Sequence, residues 1–409
     1  MRRVVVTGMG AISPFGSGVA PLFEALCAGQ SGVRVLPELT SVGGLRSLVA
    51  GPVPDLDPKQ IPRKFRRSMS NMSIFATLAA QEALSQGRVD DGLREGGRLG
   101  VVVGSTLGST QTSQEFFQDY LTDFSLERMK STVFFHIMSH SCAANVSQAL
   151  GVRGRVVAPS AACATGCQAV GLAYEMVAAG SQDLVLCGGA DELHPLTAAT
   201  FDVMNAASTA YNDRPHETPR PFDRARDGVV CSEGGGILLL EGLDSALARG
   251  VSILAEVVGF ATLSDPASIA NPHADAMEAC MRAALADAGD SPAKVDYVNA
   301  HATGTELGDA AESEAIGRVV GAGVPVSSLK GHLGHTMAAS GSLELIATVE
   351  MMRRDCVLPT LNLEEVDPAC AGVDHVRSVR SARLRTVIKN SFAMGGINSS
   401  LVLRRYADD

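Results

Sequence analysis

Short β-branched runs alternate along this chain with longer Ala-rich segments whose apolar residues recur at helical spacing, a pattern that predicts a parallel α/β core. The strand-like runs are Arg3-Val-Val-Val-Thr, Leu99-Gly-Val-Val-Val-Gly, Asp183-Leu-Val-Leu-Cys-Gly-Gly and Asp296-Tyr-Val-Asn. The helical segments span 69–86, 166–180, 274–288 and 341–354, each expected to be amphipathic. Near residue 250 the pattern restarts: Ser252-Ile-Leu-Ala-Glu-Val-Val-Gly-Phe-Ala echoes the opening strand, and helix, strand and Gly-rich turn follow in the same order in both halves. At the C-terminus, Val387-Ile-Lys-Asn-Ser-Phe-Ala-Met-Gly-Gly-Ile-Asn-Ser-Ser-Leu-Val-Leu reads as two strands joined by a tight Gly turn. We expect two related halves, 1–250 and 251–409, packed as one body.

Composition narrows the class. With 46% hydrophobic and 19% charged residues over 409 positions, the chain can bury a large core. Its nine cysteines show no regular spacing and read as reduced thiols of a cytoplasmic protein. No apolar run approaches the ~18–20 residues needed to span a bilayer, so no membrane partner is expected. A formal net charge of −10 argues against nucleic acid. One segment has the opposite sign: Lys59-Gln-Ile-Pro-Arg-Lys-Phe-Arg-Arg carries no acid, and Arg63, Lys64, Arg66 and Arg67 are either a solvated turn or a docking face for an acidic partner.

Candidate chemistry begins at Cys163, in Val157-Ala-Pro-Ser-Ala-Ala-Cys-Ala-Thr-Gly-Cys-Gln-Ala, where a buried-looking strand gives way to small residues and then a helix. A helix N-terminus stabilises thiolate, so a pKa below the ordinary ~8.5 is expected there. Two histidine turns follow in the second half. Asn299-Ala-His-Ala-Thr-Gly-Thr places His301 just past the end of a strand, where ligands bind in α/β sheets. Ser328-Leu-Lys-Gly-His-Leu-Gly-His-Thr places Lys330 and His335 in a turn before a helix. The pairs His332/His335 and Cys163/Cys167 offer short-spaced metal ligands, but neither repeats as a zinc knuckle would, and no metal is expected.

Taken together, these runs resemble the β-ketoacyl-acyl-carrier-protein synthases, the elongating condensing enzymes of the thiolase-like fold. The likeness covers essentially the whole chain and rests on six motifs: Arg3-Val-Val-Val-Thr-Gly-Met-Gly, Ala162-Cys-Ala-Thr-Gly, Arg220-Pro-Phe-Asp-Arg-Ala-Arg-Asp-Gly, Asn299 to Thr305, Lys330 to His335 and Asn390-Ser-Phe-Ala-Met-Gly-Gly-Ile-Asn. The resemblance implies an α/β fold of two βαβαβαββ halves in five layers, α-β-α-β-α, and a Cys-His-His site. It implies that Cys163 takes an acyl group from a carrier and that backbone N–H groups of Cys163 and Met394 hold the oxyanion. His301 and His335 then stabilise the enolate formed as malonyl-carrier loses CO2, and 3-ketoacyl-carrier is released. Lys330 is implied to pair with Glu312, with Asp309 and Phe392 in support, and Thr303 and Thr305 to bind the pantetheine arm. Acyl-carrier protein becomes the expected acidic partner and supplies 4'-phosphopantetheine, so no resident cofactor is implied. A homodimer or a heterodimer with a chain-length-factor-like homologue is implied as well.

The chain also departs from the family pattern. Met394 stands where a gating aromatic is usual and Ala393 where glycine is usual; Val229 replaces a frequent aromatic, Ser232 a frequent glycine, and Ala270 lacks a frequent hydroxyl. These changes predict an acyl pocket of altered shape, suited to longer, rigid or unsaturated chains in a fatty acid, polyketide or polyene pathway. Two alternatives compete. A chain-length-factor-like structural subunit would typically lack the nucleophile that is present here. A thiolase would need a second cysteine between Phe392 and Asn398, where there is none.

Overall fold

A computed structural model describes residues 1–407. One twelve-stranded sheet carries the fold. Its main strands are β1 (Val4–Ser13), β2 (Leu99–Gly104), β3 (Val156–Val157), β4 (Leu184–Asp191), β5 (Gly234–Gly242), β6 (Ala255–Ser264), β7 (Tyr297–Asn299), β8 (Pro325–Ser327), β9 (Asp374–His375), β10 (Thr386–Ala393) and β11 (Ile397–Arg404). A two-residue strand, Gly16–Ser17, folds back on the end of β1. The helices that matter for the site are α1 (Asn71–Gln86), α2 (Thr110–Asp123), α3 (Ser141–Leu150), α4 (Thr165–Ala178), α5 (Ala274–Asp287), α6 (Glu306–Val320) and α7 (Ser340–Arg354).

Strand order is β9-β8-β7-β10-β11-β6-β1-β5-β4-β2-β3. Outward from the central β6–β1 pair, each side reads the same way. On one side β1, β5 and β4 run antiparallel to their neighbours, and β2 and β3 continue in parallel. On the other, β6, β11 and β10 are antiparallel, and β7 and β8 continue in parallel. This matched order is the structural form of the restart near residue 250. Only Val4 to Val6 pair with Val257 to Ala255 across the centre. The sheet folds about that short seam, so α4 and α7 lie between its halves while α1 and α3 cover one outer face and α5 and α6 the other. Five layers result, on a thiolase-like plan.

The mixed pairing corrects the expectation of a parallel core, while the two C-terminal strands joined by a Gly turn are found as read. It follows from β1 and β5, and β10 and β11, being neighbours in space that run in opposite directions. A second correction concerns α7, read as amphipathic. Every residue from Ser340 to Met352 is buried, because this helix has sheet on both sides. Its polar residues, including Glu344, are therefore forced to find partners inside the protein.

Candidate active site

Cys163 occupies a 3₁₀ turn, Ala162–Ala164, that runs directly into α4. Ala162 is held at φ 46°, a left-handed conformation that side chains other than glycine rarely adopt. Thr165 stabilises the turn: its Oγ1 accepts the Ala161 N–H at 2.8 Å and donates to the Ala162 carbonyl at 2.7 Å. Cys163 is thus fixed at the tip of a strained loop aimed at the cavity.

The two histidine turns converge on that thiol. His301 follows β7, and its backbone N–H and that of Ala302 donate to Glu312 at 2.8 and 2.7 Å. Asp309 takes the next two N–H groups, Thr303 at 3.0 Å and Gly304 at 3.2 Å, so the first two turns of α6 hold the whole loop. His335 is stitched to the Val230–Ser232 segment by the bonds His335 N–H to Val230 carbonyl and Ser232 N–H to His335 carbonyl. Beyond it, α7 crosses the start of α4 at two glycines. A Cβ on Gly166 would stand 2.4 Å from the Ala338 carbonyl oxygen, and one on Gly341 2.5 Å from the Cys167 nitrogen. This close crossing seats the His335 turn on the Cys163 turn. Asp191, at the end of β4, ties both to the loop after β2 by accepting from Ala338 N–H, Thr106 N–H and Ser105 Oγ.

As a result the Cys163 sulfur and one nitrogen each of His301 and His335 lie within 4.8 Å of one another. The imidazoles stand edge to face with centroids 5.3 Å apart. Nδ1 of His335 accepts the Met337 N–H at 3.3 Å, which leaves the hydrogen on Nε2; that atom is buried and has no partner among the described residues. Burial and then the Lys330 charge push His335 down to about 3 and His301 well below the usual histidine range, so both rings are neutral.

Several expectations are corrected here. The Cys163 pKa is not depressed: burial pushes it up to about 11, against the pull of Lys330 and of the Cys163 and Met394 N–H groups. The Cys163 turn supplies one of those two donors and the turn after β10 the other, but the loss of water outweighs them. Lys330 does not pair with Glu312. Its ammonium donates to Glu344 at 2.7 Å, both side chains being fully buried, while Glu312 is engaged with the His301 turn. The strand before Cys163 is not buried either, since Val156 and Val157 are 46% and 39% exposed at the sheet edge.

Cys163, His301, His335, Thr303, Thr305 and Met394 line one cavity of about 540 Å³, together with Asp309, Glu312, Phe392, Val229 and Ala270. The Thr303 and Thr305 hydroxyls are 3.2 Å apart, and Met394 is partly exposed. Ser232 lies off the cavity, its hydroxyl donating to the Gly51 carbonyl. His332 has both ring nitrogens on backbone carbonyls, those of Gln30 and Pro359, and Cys167 is buried in the main core. Neither of the short-spaced ligand pairs read from the sequence is therefore assembled. Arg63, Lys64 and Arg67 are exposed on and beside a short helix, Arg63–Arg66, outside the cavity; Arg66 is half-buried and donates to the Ile61 carbonyl. Sequence reading missed Glu344, Lys389, Asp191 and Thr165. A lysine in the otherwise apolar run before Asn390 was the one available signal.

Comparison with known proteins agrees with this geometry. Residues 1–246 match the family model for the N-terminal domain of β-ketoacyl synthases, and residues 254–364 match that for the C-terminal domain. A 3-oxoacyl-[acyl-carrier-protein] synthase 1 of Haemophilus influenzae is 36% identical, with 99% of this chain and all of that protein covered. A crystal structure of a β-ketoacyl synthase from Burkholderia phymatum superposes with a TM-score of 0.96 at 44% identity, both chains fully covered. A ketosynthase solved in complex with a type II polyketide acyl-carrier protein gives a TM-score of 0.91 at 31% identity, over 99% of this chain and 100% of that one.

Proposed function

The chain belongs to the β-ketoacyl synthase family, and from that premise we propose how its own residues divide the work. It is an acyltransferase that joins an acyl group to malonyl-acyl-carrier protein with loss of CO2, extending a fatty acid or polyketide chain. The single observation that carries the residue assignment is the gathering of one buried thiol and two neutral imidazoles at the cavity wall.

Because the resting thiol is protonated, attack on the incoming thioester needs a base. His335 uses its bare nitrogen to hold Met337 N–H, so His301 is the imidazole that takes the Cys163 proton. The Cys163 sulfur then bonds to the acyl carbon, the carrier thiolate leaves, and His301 returns the proton to it. Backbone N–H groups of Cys163 and Met394 stabilise the tetrahedral oxyanion. When malonyl-carrier follows, the C–C bond to its carboxylate breaks and the electron pair moves onto the thioester oxygen, which faces His335 Nε2–H and His301. The enolate carbon attacks the Cys163 thioester, sulfur departs, and 3-ketoacyl-carrier is released two carbons longer.

Thr303 and Thr305 are suited to hydrogen-bond the amides of a pantetheine arm along the cavity. That arm arrives on the carrier, so the reaction asks for no resident metal or redox cofactor. Exposed Arg63, Lys64 and Arg67, with Arg66 behind them, suit an acidic carrier. The edge strand β3 and the apolar face of α2 suit a second copy of this chain, making a homodimer. Exposed Phe117, Leu121, Phe124, Phe134 and Phe135 extend that surface. No helix among the described residues is long and apolar enough to cross a membrane, and the reduced cysteines fit a cytoplasmic enzyme. Met394, Val229 and Ala270 along the cavity suit longer, rigid or unsaturated acyl chains. Intact-mass and peptide mapping after exposure to a mixed acyl-carrier pool tests the reading: a thioester on Cys163 carrying such chains supports it, and acyl groups elsewhere or plain saturated medium chains contradict its respective parts.

A further inference from the structure

Lys389 lies in β10, a strand buried at all eight positions, and its side chain has no exposed surface. The condensation steps above give it no task. Its ammonium stands 2.6 Å from Oε2 of Glu344, while Lys330 holds Oε1 of the same carboxylate at 2.7 Å. The Lys389 ammonium also donates to the Asn390 carbonyl, and the Asn390 side-chain amide reaches Glu312 Oε1 at 3.3 Å. Glu312 in turn carries the His301 and Ala302 N–H groups. One lysine therefore touches the Glu344 carboxylate directly and the Glu312 carboxylate through one residue.

The charged and titratable groups that face it come from every surrounding element. Glu344 lies on α7, Glu312 on α6, Cys167 on α4 and Lys330 in its turn; His301 and His335 feel its charge across the cluster. Two lysines and two carboxylates form a set that balances when all four are ionised. A buried charge left without its counterpart is costly, and the cheapest remedy is to move a proton. Without Lys389, the surplus negative charge lies next to the imidazoles.

We propose that Lys389 is a positioning residue for this condensation site: it holds Glu344 jointly with Lys330 and, through Asn390, the Glu312 that carries the His301 turn, and so keeps both imidazoles neutral and in place. The inference rests on the roles given above to His301 and His335. The sign is fixed by the charge. A cation nearby disfavours imidazolium, so its loss lets the histidines protonate at higher pH. A protonated His301 cannot take the thiol proton, and a protonated His335 loses its acceptor for Met337 N–H.

The test compares Lys389→Met, Lys389→Gln and Lys389→Arg with the unaltered protein, with malonyl-carrier decarboxylation followed from pH 3 to 9 and folding checked by melting at each pH. Lys389→Gln keeps a donor to Glu344 without the charge and covers the case in which the methionine variant does not fold. The neutral variants should move the acid limb of the rate profile upward by about one pH unit, so that kcat measured on that limb, below about pH 4, falls about tenfold with KM nearly unchanged. Lys389→Arg should restore the limb. An unshifted limb in Lys389→Gln, or a loss uniform in pH that arginine does not rescue, overturns the inference alone. An unaltered protein unable to decarboxylate malonyl-carrier overturns it together with the reaction on which it rests.

Discussion

His335 turns Nδ1 onto the backbone N–H of Met337, 3.3 Å away, and so presents Nε2–H to the cavity. A neutral ring held in one tautomer by the backbone is a donor that needs no reorganisation when charge appears on a thioester oxygen.

Replacing His335 with Ala should therefore slow malonyl-carrier decarboxylation by about 10²–10³-fold, the range for loss of one preorganised oxyanion donor. Acylation of Cys163, proposed above to use His301 as its base, should persist. Mass spectrometry of the variant after exposure to acyl-carrier separates the two steps, and an enzyme that no longer acylates would contradict the division of labour.

The buried thiol makes a second prediction. With Cys163 pushed up to about 11, its alkylation by iodoacetamide should still be climbing about tenfold per pH unit between pH 8 and 10. A thiolate favoured by the helix start would instead reach a plateau below pH 9. The pH profile of labelling at the Cys163 peptide distinguishes them.

Charge reversal at Arg63, Lys64 and Arg67, which form no ion pair among the described residues, should raise the KM for carrier-bound substrate at least tenfold at low salt and leave kcat near its normal value. Malonyl-pantetheine, which has no carrier protein to dock, should be used equally well by both forms. An unchanged KM for the carrier substrate would remove the patch from the account.

Beside that patch, where the His136 ring meets the Arg67 carbonyl, Val157→Asp together with Phe135→Asp should convert a dimer to a monomer in analytical ultracentrifugation, because a charge on an apolar edge opposes pairing. A protein that is already a monomer, or that binds only a chain-length-factor-like homologue, would refute the homodimer.

Much of this was legible in the residues. The hydrophobic period placed β2 and β4 within a residue or two, and the strand-to-turn positions of Cys163 and His301 followed from local pattern. What escaped depends on the third dimension. The sulfur's pKa is set by water excluded from a cavity walled by three separate turns, which no local run reveals. Glu344 was hidden because α7 reads as one-sided until sheet is found on both faces of it. The Lys330 partner was misplaced for the same reason: Glu312 and Glu344 both lie on helices after the histidine turns, and only the fold decides which reaches the lysine.

On the proposed roles, acyl transfer to Cys163 and decarboxylation at the histidines are separable halves of one reaction. Cys163→Gln fills the acyl-accepting position with a neutral side chain and leaves both imidazoles intact. Incubated with malonyl-carrier and acyl-carrier, this variant should release CO2 and acetyl-carrier while forming no 3-ketoacyl-carrier, whereas the unaltered enzyme makes one 3-ketoacyl-carrier for each CO2. A Cys163→Gln protein that still elongates the acyl chain would contradict the account.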